Sequence, residues 1–145
     1  MTRIIPIARI LLGLVFVTFS VNYFVPFLPA PKNMPADAMT FAGVFVAAGY
    51  MTVIKVIELV AGLALLANRF TTLALALLAP MVVGILIFHA RLEPAGLPIA
   101  VLVLVLELFL AWSYRAAYRP MLATRVAPTI GDDRAAAPIA APHAA

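Results

Sequence analysis

Four apolar stretches, at about 7–28, 50–67, 71–90 and 98–115, decide what this chain can fold into. Inside hydrocarbon no water is on hand to pair with the backbone, so a crossing segment closes its own hydrogen bonds, as a helix does. A helix of roughly 20 apolar residues crosses a core about 30 Å thick. The composition agrees: the 145 residues are 66% hydrophobic and 11% charged, where soluble domains run about half apolar and a quarter charged.

In the first stretch, Ile7 and Ala8 extend the run at 10–28 beyond the length of a signal-peptide core, and no A-x-A cleavage site follows. It reads as a retained span that ends at Pro26 and Pro29. Between 36 and 67 the only interruptions are Gly43, Gly49 and Gly62. A single helix there would be about 48 Å long at 1.5 Å per residue, too long for one crossing. The expectation is a short helix at about 36–48 in the outer interface, a break at Gly49 and Tyr50, and a span over 50–67. Pro35 suits a first helical turn, and Asp37 favours the positive end of the helix dipole.

Asn68 and Arg69 make a tight connection to the third span, in which the ring of Pro80 clashes with the carbonyl of Ala76 and predicts a kink. The run PAGLP at 94–98 makes the next turn. The fourth span ends in an interfacial belt of Trp112, Tyr114 and Tyr118 with Arg115 and Arg119. From 126 onward the chain becomes rich in Ala and Pro, a composition of disordered tails. The fold expected is therefore all-α: a four-transmembrane-helix bundle over 1–125, with a short extra helix between spans 1 and 2 and a disordered tail over 126–145.

Orientation follows from the flanking charges. One side holds Arg3, Arg9, Arg69, Arg115, Arg119 and Arg125; the other holds Lys32 and Arg91. The positive-inside rule puts both termini, and the tail, in the cytoplasm, with the chain in a bacterial inner membrane. The net charge of +4 is scattered over these ends without a basic stripe, which argues against a nucleic-acid partner. No cysteine is present, which excludes dithiol chemistry, thiolate metal sites and c-type haem attachment.

With this orientation, polar residues from four spans fall in the outer half. Lys55 and Glu58 are three apart on one helix face and pair. Lys55 lies about 8 Å down, Asn22 about 9 Å, Glu58 about 12 Å and Glu107 about 14 Å, with His89 at the boundary. The inner half carries no ionisable residue away from its edge. Ionisable groups in a membrane usually face the bundle interior or a wet cavity. One lysine and two glutamates leave a carboxyl unbalanced, so either Glu58 or Glu107 takes up a proton, or His89 supplies a second cation. Three readings stand: a ligand or proton site, with Glu58 handling the proton, a polar core that only fixes how the helices associate, or separate charges that snorkel to the lipid surface. Glu93 reads as solvated. A single histidine and spaced glutamates give no metal-ligand spacing, and no phosphate-loop, dinucleotide, hydrolase or zinc-protease motif is present. Gly43 and Ala47 form a small-xxx-small pair. Nothing in the residues specifies turnover or an oligomer.

Several stretches taken together carry a resemblance: ARILLGLVF at 8–16, SVNYF at 20–24, AAGYMTVIKVIELVAGLALLANRF at 47–70, LALLAPMVVGILIFHARLEP at 75–94 and LELFLAWSYRAAYRPML at 106–122. Over roughly 3–125 the chain resembles the DoxX-like family of small bacterial membrane proteins. The family often has Gly, with Asn and Lys following, near the end of the first span. Here Ser20 takes the Gly position, Asn22 is kept and no lysine follows, so any role of that lysine has no counterpart. The resemblance implies a four-span inner-membrane protein, in a family linked to quinone redox and oxidative stress. Most members have no established activity.

Grouping Asn22, Lys55, Glu58, His89 and Glu107 as ligand contacts rests on their depth, and the resemblance does not supply it. No cofactor motif is evident. An isoprenoid quinone is the ligand this reading suggests, with electrons supplied by a redox partner protein. The alternative is a non-catalytic scaffold or small carrier in the bilayer.

Overall fold

The computed structural model describes residues 3–29, 31 and 33–124. Lys32, Arg125 and the tail at 126–145 lie outside the described residues. Six α-helices follow in order: α1 (Ile4–Phe24), α2 (Ala36–Ala47), α3 (Tyr50–Leu66), α4 (Thr71–Arg91), α5 (Leu97–Ser113) and α6 (Arg115–Tyr118). No strand occurs among the described residues.

The helix ends have local causes. Val25 precedes Pro26, whose ring disfavours helical backbone at the residue before it. Val25 is accordingly extended (φ −130°, ψ 90°) and α1 stops at Phe24, short of the expected 28. Gly49 sits at φ 78°, a left-handed backbone that costs a side-chain-bearing residue about 1–2 kcal/mol. There the chain turns by 84° from α2 into α3, so the expected break occurs where expected. α3 ends in a Schellman motif, in which the Asn68 amide donates to the Leu65 carbonyl and the Arg69 amide to the Ala64 carbonyl. Asn68 takes the left-handed position at φ 54°. α4 runs unbroken through Pro80, and Pro94–Gly96 form a 3-10 turn into α5.

Three helical segments, Ile4–Phe24, Thr71–Arg91 and Pro94–Ser113, are long and apolar enough to cross a membrane, or four if the bent pair α2–α3 counts as one span. α3 alone has 17 residues, about 26 Å at 1.5 Å per residue. Only 22–33% of each long segment is buried inside the protein. The outward faces of these helices are nonetheless Leu, Ile, Val and Phe, far more contiguous apolar surface than a water-soluble monomer exposes.

α1 and α3 form the most extensive helix pair. They meet at two glycines. A Cβ on Gly13 would stand 3.0 Å from the Gly62 carbonyl oxygen, and one on Gly62 would stand 3.2 Å from the Gly13 carbonyl oxygen. The pairing is tied at both ends. Tyr23 Oη and Thr52 Oγ1 are 2.9 Å apart at one end, and the Arg9 guanidinium donates to the Leu65 carbonyl at the other.

Arg9 therefore corrects an expectation. It is buried inside α1, where it serves the last carbonyls of α3, the negative end of that helix dipole. It is not a solvated flanking charge. At Gly43 a Cβ would meet nothing within 4 Å among the described residues, so this glycine, unlike Gly13 and Gly62, marks no helix contact there.

These environments separate two substitutions with the same chemistry. Gly62→Ala drives a methyl into the α1 backbone and is expected to cost about 1–3 kcal/mol, as overpacking does. Gly43→Ala enters open space in a helix interior and is expected to stabilise by about 0.5–1 kcal/mol. Thermal unfolding in lipid discs reads both, and equal shifts would refute the close approach of α1 and α3.

Candidate functional site

α3 brings Lys55 and Glu58 onto one face, one turn apart. Lys55 Nζ donates to Glu58 Oε2 at 2.7 Å, and Glu58 is 2% exposed. A buried charge is tolerable when paired and hydrogen-bonded, and an i,i+3 pair achieves this within its own helix. Gly62 stands one turn beyond Glu58, so the tight α1–α3 contact holds the stretch of α3 that carries the pair.

Two cavities flank these side chains. The first, about 420 Å³, lies between α2, α3 and α4; Phe41, Phe45 and Phe88 give it aromatic walls, and Pro80 and Gly84 line it from α4. The rings of Phe41 and Phe88 stand 5.8 Å apart, linking α2 to α4 across it. The second, about 380 Å³, lies against α1, α5 and the Pro94–Gly96 turn, with Phe16, Phe19, Ile99 and Val103 among its lining. Both volumes fall in the roughly 300–1,000 Å³ range of small-molecule sites. Lys55, Glu58, Ile85 and His89 line both cavities. Lys55, Glu58 and His89 form a polar wall with apolar space on either side.

His89 belongs to a second preassembled unit. Its Nδ1 lies 2.7 Å from Glu93 Oε2 and 3.0 Å from the Glu93 carbonyl oxygen. The Gly96 amide donates to the same Oε2 at 3.0 Å. Glu93 is buried, contrary to the expectation of a solvated residue. Gly96 is required here because a Cβ at that position would overlap the His89 ring. The partner of His89 is thus Glu93, where the charge count had matched it with Glu58 or Glu107. The i,i+4 spacing of His89 and Glu93 was the available sequence signal.

Asn22 and Glu107 are not part of this wall. Asn22 Oδ1 accepts from the Phe27 and Leu28 amides at 3.0 and 2.7 Å, closing the turn after α1, and it lines neither cavity. Glu107 is buried on α5, and its Oε2 has no hydrogen-bond partner among the described residues. With α5 running from Leu97 to Ser113, Glu107 stands about 15 Å from the start and about 9 Å from the end. Its carboxylate acts on Tyr118, beyond the far end of α5: burial first, and the Glu107 charge second, push the Tyr118 phenol above its ordinary range. Tyr118 in turn donates to the Thr72 carbonyl at 3.1 Å. The expected group of five is therefore three residues in one place, with Glu93 added from outside the list.

Comparison with protein-family models, with curated proteins and with solved structures gives no match for this chain.

A polar wall between two apolar chambers suits an amphiphile whose head meets Lys55, Glu58 and His89 while its tail lies along phenylalanine and aliphatic side chains. Gly96→Ala tests how the wall is set. The added methyl is expected to displace the His89 ring at a cost of about 1–3 kcal/mol in stability. It is also expected to move the His89 ring resonances in a nuclear magnetic resonance spectrum. Unchanged His89 resonances in a folded variant would refute the packing of Gly96 on the ring.

Proposed function

We propose that this is a DoxX-like integral inner-membrane protein that binds an isoprenoid quinone or a closely similar lipophile, as a quinone-site subunit in a respiratory or oxidative-stress setting. The observation that carries the reading is the wall of Lys55, Glu58 and His89 shared by the two apolar cavities. Lysine has three donor hydrogens, of which one goes to Glu58; the others suit the oxygens of a quinone head. Glu58 is the residue assigned to proton handling, since it is a carboxyl at the wall that can exchange a proton with a head group changing oxidation state. Electrons would come from a redox partner protein.

The bundle in this reading has four spans, with the bent pair α2–α3 contributing one and α2 lying along the outer interface. The termini are cytoplasmic. Removing Arg9 from the charge count, since it is buried against α3, leaves Arg3, Arg69, Arg115, Arg119 and Arg125 facing Lys32 and Arg91. The bias keeps its sign. Tags placed before Arg3 and after Ala145 are expected to be reachable only from the cytoplasmic face, and labelling of either from outside would overturn this topology.

The scaffold reading has its own support, because Arg9 bonds only the end of α3 and Asn22 only the turn after α1. Two variants separate it from a ligand site. Purified in native lipid discs, the wild type is expected to hold near-stoichiometric quinone and Glu58→Gln to lose it. The double variant Lys55→Met with Glu58→Leu is expected to fold normally, because an apolar pair of similar volume often replaces a buried ion pair without loss of stability, yet it too loses quinone. Quinone at the lipid background in the wild type would leave the wall as helix glue.

A further inference from the structure

The hydrogen bonds of His89 decide more than where its ring sits. Nδ1 faces two oxygens, a carboxylate oxygen and the carbonyl of Glu93. A backbone carbonyl only accepts, so Nδ1 must carry the hydrogen. In a neutral imidazole the other nitrogen is then a bare acceptor, the tautomer being set by the bond its partner makes. Among the described residues every hydrogen bond of His89 runs through Nδ1, and the ring lines both cavities.

We propose that Glu93 is a positioning residue that holds His89 in the Nδ1–H form, so that Nε2 accepts a hydrogen from the ligand and the site favours a hydroxyl-bearing head, a phenol or hydroquinone, over a carbonyl-bearing one. This rests on the quinone reading above and sharpens it. A quinone carbonyl offers only lone pairs, which Lys55 satisfies and a bare Nε2 repels. A hydroquinone hydroxyl offers a hydrogen to Nε2 and a lone pair to Lys55. Three features of the turn serve this end together. The Glu93 carboxylate takes the Gly96 amide as well as Nδ1, so it is anchored to the backbone. Gly96 leaves the room that the ring occupies. The i,i+4 spacing lets one helix end build the whole device.

Two measurements on the full chain in lipid discs test the proposal. The first is the nitrogen-15 spectrum of His89 at about pH 8, above the ordinary histidine range, with His143→Gln removing the chain's other histidine. The wild type is expected to show the Nδ1–H form. Glu93→Ala is expected to release it, and Glu93→Gln, which keeps an acceptor oxygen, to retain it. The second is the affinity for a decyl-substituted benzoquinone and, without oxygen, for its hydroquinone. The reduced probe is expected to bind about tenfold more tightly, the equivalent of one hydrogen bond, and Glu93→Ala to erase the difference.

A wild-type ring protonated at Nε2, alone or together with Nδ1, overturns the role of Glu93 whatever the protein binds. An Nδ1–H ring with equal or inverted affinities overturns the ligand class. An Nδ1–H ring with neither probe bound removes the quinone reading, and the ligand class with it, while the role of Glu93 stands.

Discussion

The contact between Gly13 and Gly62 is the constraint on which the rest of the structure depends. Without a hydrophobic drive between helices in lipid, association relies on close packing and on polar bonds. Here two backbones meet with no Cβ between them, and the two ends of the crossing are tied by Arg9 to Leu65 and by Tyr23 to Thr52. This fixes α3 in rotation as well as position. Because Glu58 stands one turn from Gly62, rotation of α3 is what keeps its carboxylate between the two cavities. The steric demand on a glycine thus reaches the chemistry through a single helical turn.

Charge is handled locally throughout the cavity wall. Lys55 pairs with Glu58 inside α3, and His89 bonds Glu93 just beyond the end of α4. Neither pair depends on a distant helix arriving in register. Burying an isolated ion is expensive, and a paired one much less so. Lys55 and Glu58 balance each other, and the Glu93 carboxylate is met by the Nδ1–H of His89 and by the Gly96 amide. Glu107 has no such partner, and it lies toward the Tyr118 end of α5, away from the wall.

Much of the fold was legible in run lengths. The long apolar helices, the break at Gly49 and the turns at Asn68 and 94–96 follow from run length, left-handed backbone positions and proline. The helix that ends at Phe24 rather than 28 shows the pre-proline residue acting before the proline does. The pairing of α1 with α3 was not legible. Gly13 and Gly62 look no different in sequence from Gly43, and only the three-dimensional arrangement says which glycine faces a neighbour. Arg9 was read as a flanking charge because a sequence does not reveal that the open carbonyls of another helix lie beside it. Glu107 was placed with the site by its depth; it shares the α5 face of Ile99 and Val103, which line the second cavity, and a run of apolar residues does not say where along that face the cavity ends.

The two readings of the polar residues divide the list between them. Arg9 bonds a carbonyl left open at the end of α3, and Asn22 takes two amides of the turn after α1; such backbone groups gain from a partner whatever the protein does. Lys55, Glu58 and His89 close no helix end. Each of the first two bonds to the other, and His89 bonds to a glutamate that itself bonds the turn. A purely structural polar core would consume its donors on other helices, where they would hold the bundle together. These residues instead bind within their own segments and present what is left of their hydrogen-bonding capacity to the space on both sides. In the proposed reading, the hydrogens that Lys55 keeps off neighbouring helices would meet the polar head of the ligand.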